Sequence, residues 1–275
     1  MPSFSADADI YLMARLVDTL LRFTGRLGGL IAYRRPDSDE IFVRTRGGVS
    51  RERLKHSPVY AIVRLRNAEF GGRAKASHWI IKATGPLRVL GGQDLSGRLN
   101  ALVDTIQKED RESRLGERRL LFSVHAGLLA GFSLHRHRLF DAVVRTSPTW
   151  VLSRETRTAQ LVLPPLRPGS NFFPPDFPYY RLQAAWGIVP DLFFDRDAYR
   201  PVSIGEFDVA PAFAETPWRS TTVVAAAETL SLRLPPSPDV HHCLMLTVGI
   251  CFGVMGGHGV EKQHHTGSAK IVALT

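Results

Sequence analysis

Short apolar runs cut apart by proline, glycine and aspartate fill the second half of this chain. TWVLS (149–153) and AQLVLPPL (159–166) come first, and the Pro-rich NFFPPDFP (171–178) follows. YYRLQAAWGIVP (179–190), TTVVAAAETLSLRLP (221–235), HHCLMLTVGICFGV (241–254) and SAKIVALT (268–275) complete the series. Each run is strand-length and rich in β-branched or aromatic residues, and each ends in turn chemistry. Connections this short join antiparallel neighbours, so the pattern predicts an immunoglobulin-like antiparallel β-sandwich of about six or seven strands.

The first half has a different period. Ile10, Met13, Val17, Leu20 and Leu21 recur at helical spacing and predict an amphipathic helix. Ser57-Pro58 is a helix start, with a capping hydroxyl and then proline at the first position. VYAIVRLRNAEFGGRAKASHWIIKA follows with helical periodicity, and Gly71-Gly72 is a place for it to break or kink. Leu95 to Lys108 carries Leu99, Leu102, Val103 and Ile106 on one stripe, with Ser96 as a cap candidate, and LLFSVHAGLLAGF is a third helical segment. The chain therefore reads as α+β. A helical N-terminal region with an inserted β-hairpin (residues 1–146) precedes the antiparallel sandwich (147–275).

The hairpin lies in FTGRLGGLIAYRRPDSDEIFVRTRGG, Phe23 to Gly48. LIAYRR and EIFVRTR are extended segments, and Pro36-Asp37-Ser38-Asp39 supplies the turn between them. Alternation puts Ile31 and Tyr33 on one side with Arg35, and places Arg34, Arg44 and Arg46 together on the other. Gly25, Gly28 and Gly29 read as a tight helix-to-strand turn with close backbone packing. A phosphate-cradling loop is excluded, because the lysine and hydroxyl of such a loop are absent and the glycines precede a strand.

Charge is concentrated here. Residues 41–90 hold 11 Lys or Arg against the two acids Glu52 and Glu69, a surplus equal to the formal +9 of the whole chain. On one reading this window docks on another protein or on a second copy of the chain. Its candidate contacts are Tyr33, Arg34, Arg35, Phe42, Arg44, Arg46, Arg51, Arg53, Lys55, Arg64, Arg66, Arg73 and Lys75. On the rival reading the same cations meet the phosphates of a nucleic acid while Tyr33 and Phe42 stack on bases. No helix-turn-helix, zinc-finger or RNA-recognition pattern accompanies the charge. Phe172, Phe173, Phe177 and Tyr179 form a second interface candidate, with a cap on the sandwich core as the equal alternative.

Little else points to chemistry. His241, His242, His258, His264 and His265 crowd the C-terminal end without a zinc-ligand spacing, and His135 and His137 share a strand face without a carboxylate. Asp191, Asp195 and Asp197 read as solvated turn residues. Cys243 and Cys251 read as buried free thiols; on one extended strand they would lie about 26 Å apart. There is no nucleophile elbow, so no catalytic, cofactor or metal site is expected. Asp7, Asp9, Arg15 and Asp18 interrupt the apolar N-terminal residues, which argues against a signal peptide and for a cytoplasmic protein. No apolar run is long enough to span a membrane.

Three stretches carry a resemblance: TGRLGGLIAYRRPDSDEIFVRTRGGVSRERLKHSP, NAEFGGRAKASHWI and LLAGFSLHRHRLFD. Together they resemble a family of Bacteroidetes-type bacterial proteins that open with a Gly-x-Leu-Gly-hydrophobic hairpin. The resemblance implies a helical middle, a β-rich C-terminal half and a bacterial source. It implies no activity and no catalytic residue.

Overall fold

The computed structural model describes residues 13–16, 24–34, 40–45, 47–236, 241–263 and 266–275, with the backbone alone at 13–16, 204 and 206. The chain divides into two compact units, Met1–Ile62 and Val63–Thr275. It is an α+β protein with antiparallel sheets.

In the first unit, β1 (Met13–Leu16), β2 (Gly25–Leu27), β3 (Leu30–Arg34) and β4 (Ile41–Thr45) form one sheet in the order β1-β4-β3-β2. A helix was expected through Met13; instead Met13 to Leu16 pair with Arg44 to Ile41. The edge of β4 offers unpaired backbone groups, and an extended segment satisfies them where a local helical stripe would not. The rest of that stripe, Ile10, Val17, Leu20 and Leu21, lies outside the described residues, as does the Pro36–Asp39 turn.

Gly28 and Gly29 occupy the two-residue turn between β2 and β3, where Leu27 pairs with Leu30. Gly28 has φ +57, which glycine adopts without a Cβ penalty, and no atom would approach a Cβ at Gly25, Gly28 or Gly29. The glycines therefore make a hairpin turn rather than a close packing contact. Ser50 then caps α1 (Arg51–His56), its hydroxyl accepting the Arg53 N–H at 3.2 Å.

The second unit is built on a pair of long strands, β7 (Tyr179–Pro190) and β13 (His242–Gly256), which are paired over their whole shared length. They form a six-stranded sheet with β10 (Ala212–Glu215), β11 (Arg219–Ser220), β14 (Gly259–Lys262) and β15 (Ser268–Leu274). Both long strands are buried on both faces. On one side, Leu182, Trp186, Leu244, Leu246 and Phe252 share a core with a three-stranded sheet. That sheet consists of β5 (Thr149–Ser153), β6 (Thr158–Leu163) and β12 (Glu228–Arg233).

The other side, with Ala185, Val189, Met245 and Ile271, shares a second core with helices. These are α2 (Ala61–Ala83), which begins at the end of the first unit, and α3 (Leu95–Lys108). Side chains alternate along each strand, so residues two apart serve the same core. A third small ribbon pairs β8 (Phe193–Asp195) with β9 (Ala198–Arg200).

The boundary that composition suggests near residue 146 falls inside this second unit. Residues before it (Ile80, Leu99) and after it (Val189, Ile271) share one apolar cluster, because the sheet needs a cover on its second face. Gly187 permits that cover to sit close: a Cβ there would come 2.4 Å from the Ala83 carbonyl oxygen. Of the helices read from sequence, α3 coincides with its expected span, although Asp94 rather than Ser96 holds the cap position. LLFSVHAGLLAGF yields only α4 (Phe122–His125) and a 3-10 turn, Ala126–Leu129.

Candidate functional site

The first unit's sheet has two faces, and its register decides what each one carries. Residues directly opposite in antiparallel strands share a face. Tyr33 opposes Phe42, and Ile31 opposes Arg44, so these four stand together. Ala32 opposes Val43, and Arg34 opposes Ile41, so they share the other face. The expected grouping of Arg34 with Arg44 is thus corrected: the pairing register separates them. Arg35 and Arg46 lie outside the described residues.

On the first face the Tyr33 and Phe42 rings stack at 5.9 Å between centroids and 29° between planes, and the Arg44 guanidinium lies 5.8 Å from the Tyr33 centroid. This is cation–π geometry. On the other face Ala32 and Ile41 are buried. At the hairpin tip Leu27 and Leu30 are 63% and 41% exposed, although they are cross-strand partners. Arg51, Arg53 and Lys55 project from α1 as exposed cations.

The rest of the basic window behaves differently. Arg66 is exposed and Arg64 half-buried, but Arg73 and Lys75 are engaged within the protein. Arg73 Nη1 donates to Asp104 Oδ1 at 2.6 Å, and Lys75 Nζ donates to the Tyr199 carbonyl at 2.9 Å. Both hold α2 in place, which reduces their availability to an outside partner. The described cations of the window are therefore two populations: the exposed Arg44, Arg51, Arg53 and Lys55, and beyond them a mixture of exposed cations and internal bracing.

Gly72 of α2 belongs to the bracing. No kink occurs at Gly71-Gly72, because α2 runs unbroken from Ala61 to Ala83. Gly72 faces the Tyr199 ring, where a Cβ would lie 2.7 Å from a ring carbon. Around that buried ring, the Tyr199 hydroxyl donates to the Gly116 carbonyl at 3.1 Å and accepts from Gln107 Nε2 at 3.2 Å. Glu69, itself buried, accepts the Gly116 N–H at 3.0 Å. Burial pushes the Tyr199 hydroxyl pKa up, so it stays a neutral donor. A glycine in mid-helix is the sequence signal that could have announced this contact.

Nearby, Asp110 ties down the loop after α3. It accepts backbone N–H bonds from Glu112 and Ser113 at 3.1 Å and from Arg119 at 2.8 Å, and the Arg119 guanidinium bonds it as well. Burial alone would raise its pKa, but the bonds from Arg119 and Ser113 outweigh it and hold the carboxyl far below the ordinary range.

Of the aromatic candidates, Phe172 is fully buried, its ring 4.6 Å from that of Tyr180, and Phe177 stacks on Phe252 at 5.9 Å. Phe172 belongs to the core between the sheets, and Phe177, half-buried, packs against it. Phe173 is half-buried beneath the Arg145 guanidinium, 3.8 Å from its centroid, and Tyr179 is half-buried at the start of β7. The stretch caps the sheets more than it faces outward.

Two further expectations change. Asp191 is buried rather than solvated: its carboxylate accepts the Ser123 N–H at 2.8 Å and the Ser123 hydroxyl at 2.5 Å, and His241 Nδ1 stands 3.9 Å away. The serine donates to this carboxylate and not to an imidazole, so the trio lacks the geometry of an activated nucleophile. Asp195 and Asp197 are exposed, paired with Arg200. His135 and His137 occupy a loop, not a strand, and the His135 ring accepts the N–H groups of His137 and Arg138 at 3.1 Å. Burial, followed by the Arg138 charge, lowers its pKa.

His242 is buried and His241 and His258 are exposed, while His264 and His265 lie outside the described residues. Among the described residues no cluster of three metal-ligating side chains occurs, and no helix is long and apolar enough to cross a membrane. Cys243 and Cys251 are both buried and free; burial pushes both thiols up, Cys251 to about 11. No family model, curated protein or solved structure matches this chain. The expected resemblance to a Bacteroidetes-type family is neither supported nor refuted by these comparisons.

Proposed function

We propose that the chain is a non-enzymatic structural or assembly protein of the cytoplasm, docking on a protein partner or on a second copy of itself through the basic arm of its first unit. One observation carries this reading. Among the described residues of Met1–Ile62, Ala32 and Ile41 are the only buried apolar side chains, whereas Leu27, Leu30, Val49, Val59 and Ile62 are exposed. A small sheet with so little burial is marginal alone and gains from covering apolar surface. Arg26, Arg34, Arg44, Arg51, Arg53 and Lys55 are exposed cations of the same unit. Apolar contacts with an arginine rim suit a protein partner. The short edge strand β2 offers a pairing edge to the same partner.

In the same reading the β layers form an immunoglobulin-like sandwich that serves as the rigid base. The apolar core shared by the three-stranded and central sheets supports it.

Sedimentation velocity over a hundredfold concentration range tests self-association, with R44E/R51E/R53E as the variant. Assembly that the variant abolishes supports the arm, and a monomer at every concentration sinks the self-associating form. A second reading, nucleic-acid binding, draws on the Tyr33–Phe42 stack beneath Arg44. Saturable binding of single-stranded DNA or RNA that survives physiological salt would favour it over docking.

A further inference from the structure

The end of α2 builds a separate feature in the second unit. The Thr84 backbone N–H bonds the carbonyls of Ile80 and Ile81, and its hydroxyl donates to Ile81 as well. These bonds occupy carbonyls that would otherwise give the helix end its negative potential. Gly85, at φ +54, turns the chain into the 3-10 segment Gly85–Leu90, and a Cβ there would come 2.9 Å from Pro211. That close seating fixes the segment before β10 against the turn.

An open pocket of about 850 Å³ lies here, a volume usual for small-molecule sites. Its wall is apolar: Ile81, Val89 and Pro211 line it, and Val89 is 44% exposed. The cations Lys82, Arg88 and Lys262 also line it, beside His78. Lys82 is already paired with Asp208 and lies 4.7 Å from the Trp79 ring centroid. Arg88 and Lys262 have no hydrogen-bond or ion-pair partner among the described residues, and no acid lines the pocket. Lys262, at the end of β14, is the lining residue most distant in sequence from the 3-10 turn.

An exposed apolar wall, the exposed Arg88 guanidinium and Lys262, which is within electrostatic reach of Glu215 but not bonded to it, complement a molecule that is apolar at one end and anionic at the other. We propose that this pocket binds an amphiphilic carboxylate, its hydrocarbon part against Ile81, Val89 and Pro211 and its carboxylate between Arg88 and Lys262. The apolar wall distinguishes this pocket from a site for a free inorganic anion. The site is distinct from the basic arm, so either assignment can fail without the other.

Isothermal titration of the full chain with decanoate, below its micellar concentration, tests the site. Decanol and acetate are separate arms that supply the tail and the head group alone. One saturable decanoate site is expected, at least tenfold tighter than either control. R88E/K262E should weaken decanoate at least tenfold while leaving decanol unchanged, and V89D should do the same to decanoate from the apolar side. Should R88E/K262E unfold, the milder R88Q and K262Q carry the same expectation. Absence of a saturable site, decanol binding as tightly as decanoate, or full affinity in folded arginine and lysine variants would each overturn the assignment.

Discussion

The sheet of the first unit and the central sheet of the second are both antiparallel, yet they are held in opposite ways. β7 and β13 bury their side chains on both faces, between a second sheet and a helical layer. The first unit's sheet buries two apolar side chains among its described residues and leaves a leucine pair exposed at its tip. Hydrophobic burial scales with apolar area removed from water, at roughly 25 cal/mol per Å². Stability is therefore concentrated around β7 and β13, and the described part of the first unit leaves much of its apolar surface exposed. The basic window divides in the same place: Arg44, Arg51, Arg53 and Lys55 face solvent, while Arg73 and Lys75 brace α2.

The sharpest way to break this contrast is to truncate one side chain in each sheet. Trp186 is fully buried with its indole N–H on the Arg157 carbonyl, so W186A should cost about 3–5 kcal/mol in urea denaturation. I41A in the arm should move the same transition by less than about 1 kcal/mol. Equal losses would place the arm in the main cooperative core.

The layered contact itself is tested at Gly187. A methyl group there meets the backbone of Ala83 rather than a pliable side chain, so G187A should cost about 3 kcal/mol. A change at Gly28 to alanine touches nothing and strains only the turn, which should cost about 1 kcal/mol locally and leave the transition of the second unit in place.

Asp110 sets the acid limit of the second unit. Its folded pKa lies below the unfolded value of about 3.9, so its contribution is fully present above that pH. As pH falls below about 4 the unfolded state takes up the proton first, and the contribution is progressively lost. D110A should cost about 2 kcal/mol at neutral pH and flatten the decline of stability below about pH 4. An unchanged acid profile in the variant would remove Asp110 as its cause.

Charge reversal in the arm should have the smallest effect on stability. R44E/R51E/R53E changes exposed side chains, so its unfolding midpoint should stay within about 0.5 kcal/mol of the parent while any assembly is lost. The thiols give a spectroscopic companion. Neither Cys243 nor Cys251 should react with Ellman's reagent at pH 8 until urea unfolds the second unit. Prompt labelling of either would show that the central sheet opens more readily than its burial implies.

Several elements were legible in the amino-acid order. α3 spans Leu95 to Lys108 as its stripe predicts, because Leu99, Val103 and Ile106 repeat at the helical period and all three are buried. The strand segments after Thr146 were readable from their punctuation, and the free buried cysteines from their spacing. Other features were not readable. Asp191 sits in a turn-like stretch, and only the approach of Ser123 and His241 makes it a buried, bonded carboxylate. Arg73 and Lys75 look like any surface cations until Asp104 and the Tyr199 carbonyl arrive from distant segments.

What the sequence determined alone was local: periodicity, turn chemistry and the place where charge accumulates. These depend on neighbours a few residues apart, which the chain carries wherever it folds. Tertiary structure decided which faces are covered and which cations are engaged. The same alternating strand can meet water, a second sheet or a helix, and nothing within the strand chooses among them. Only the return of β13 beside β7, with α2 seated over Gly187, settled that choice.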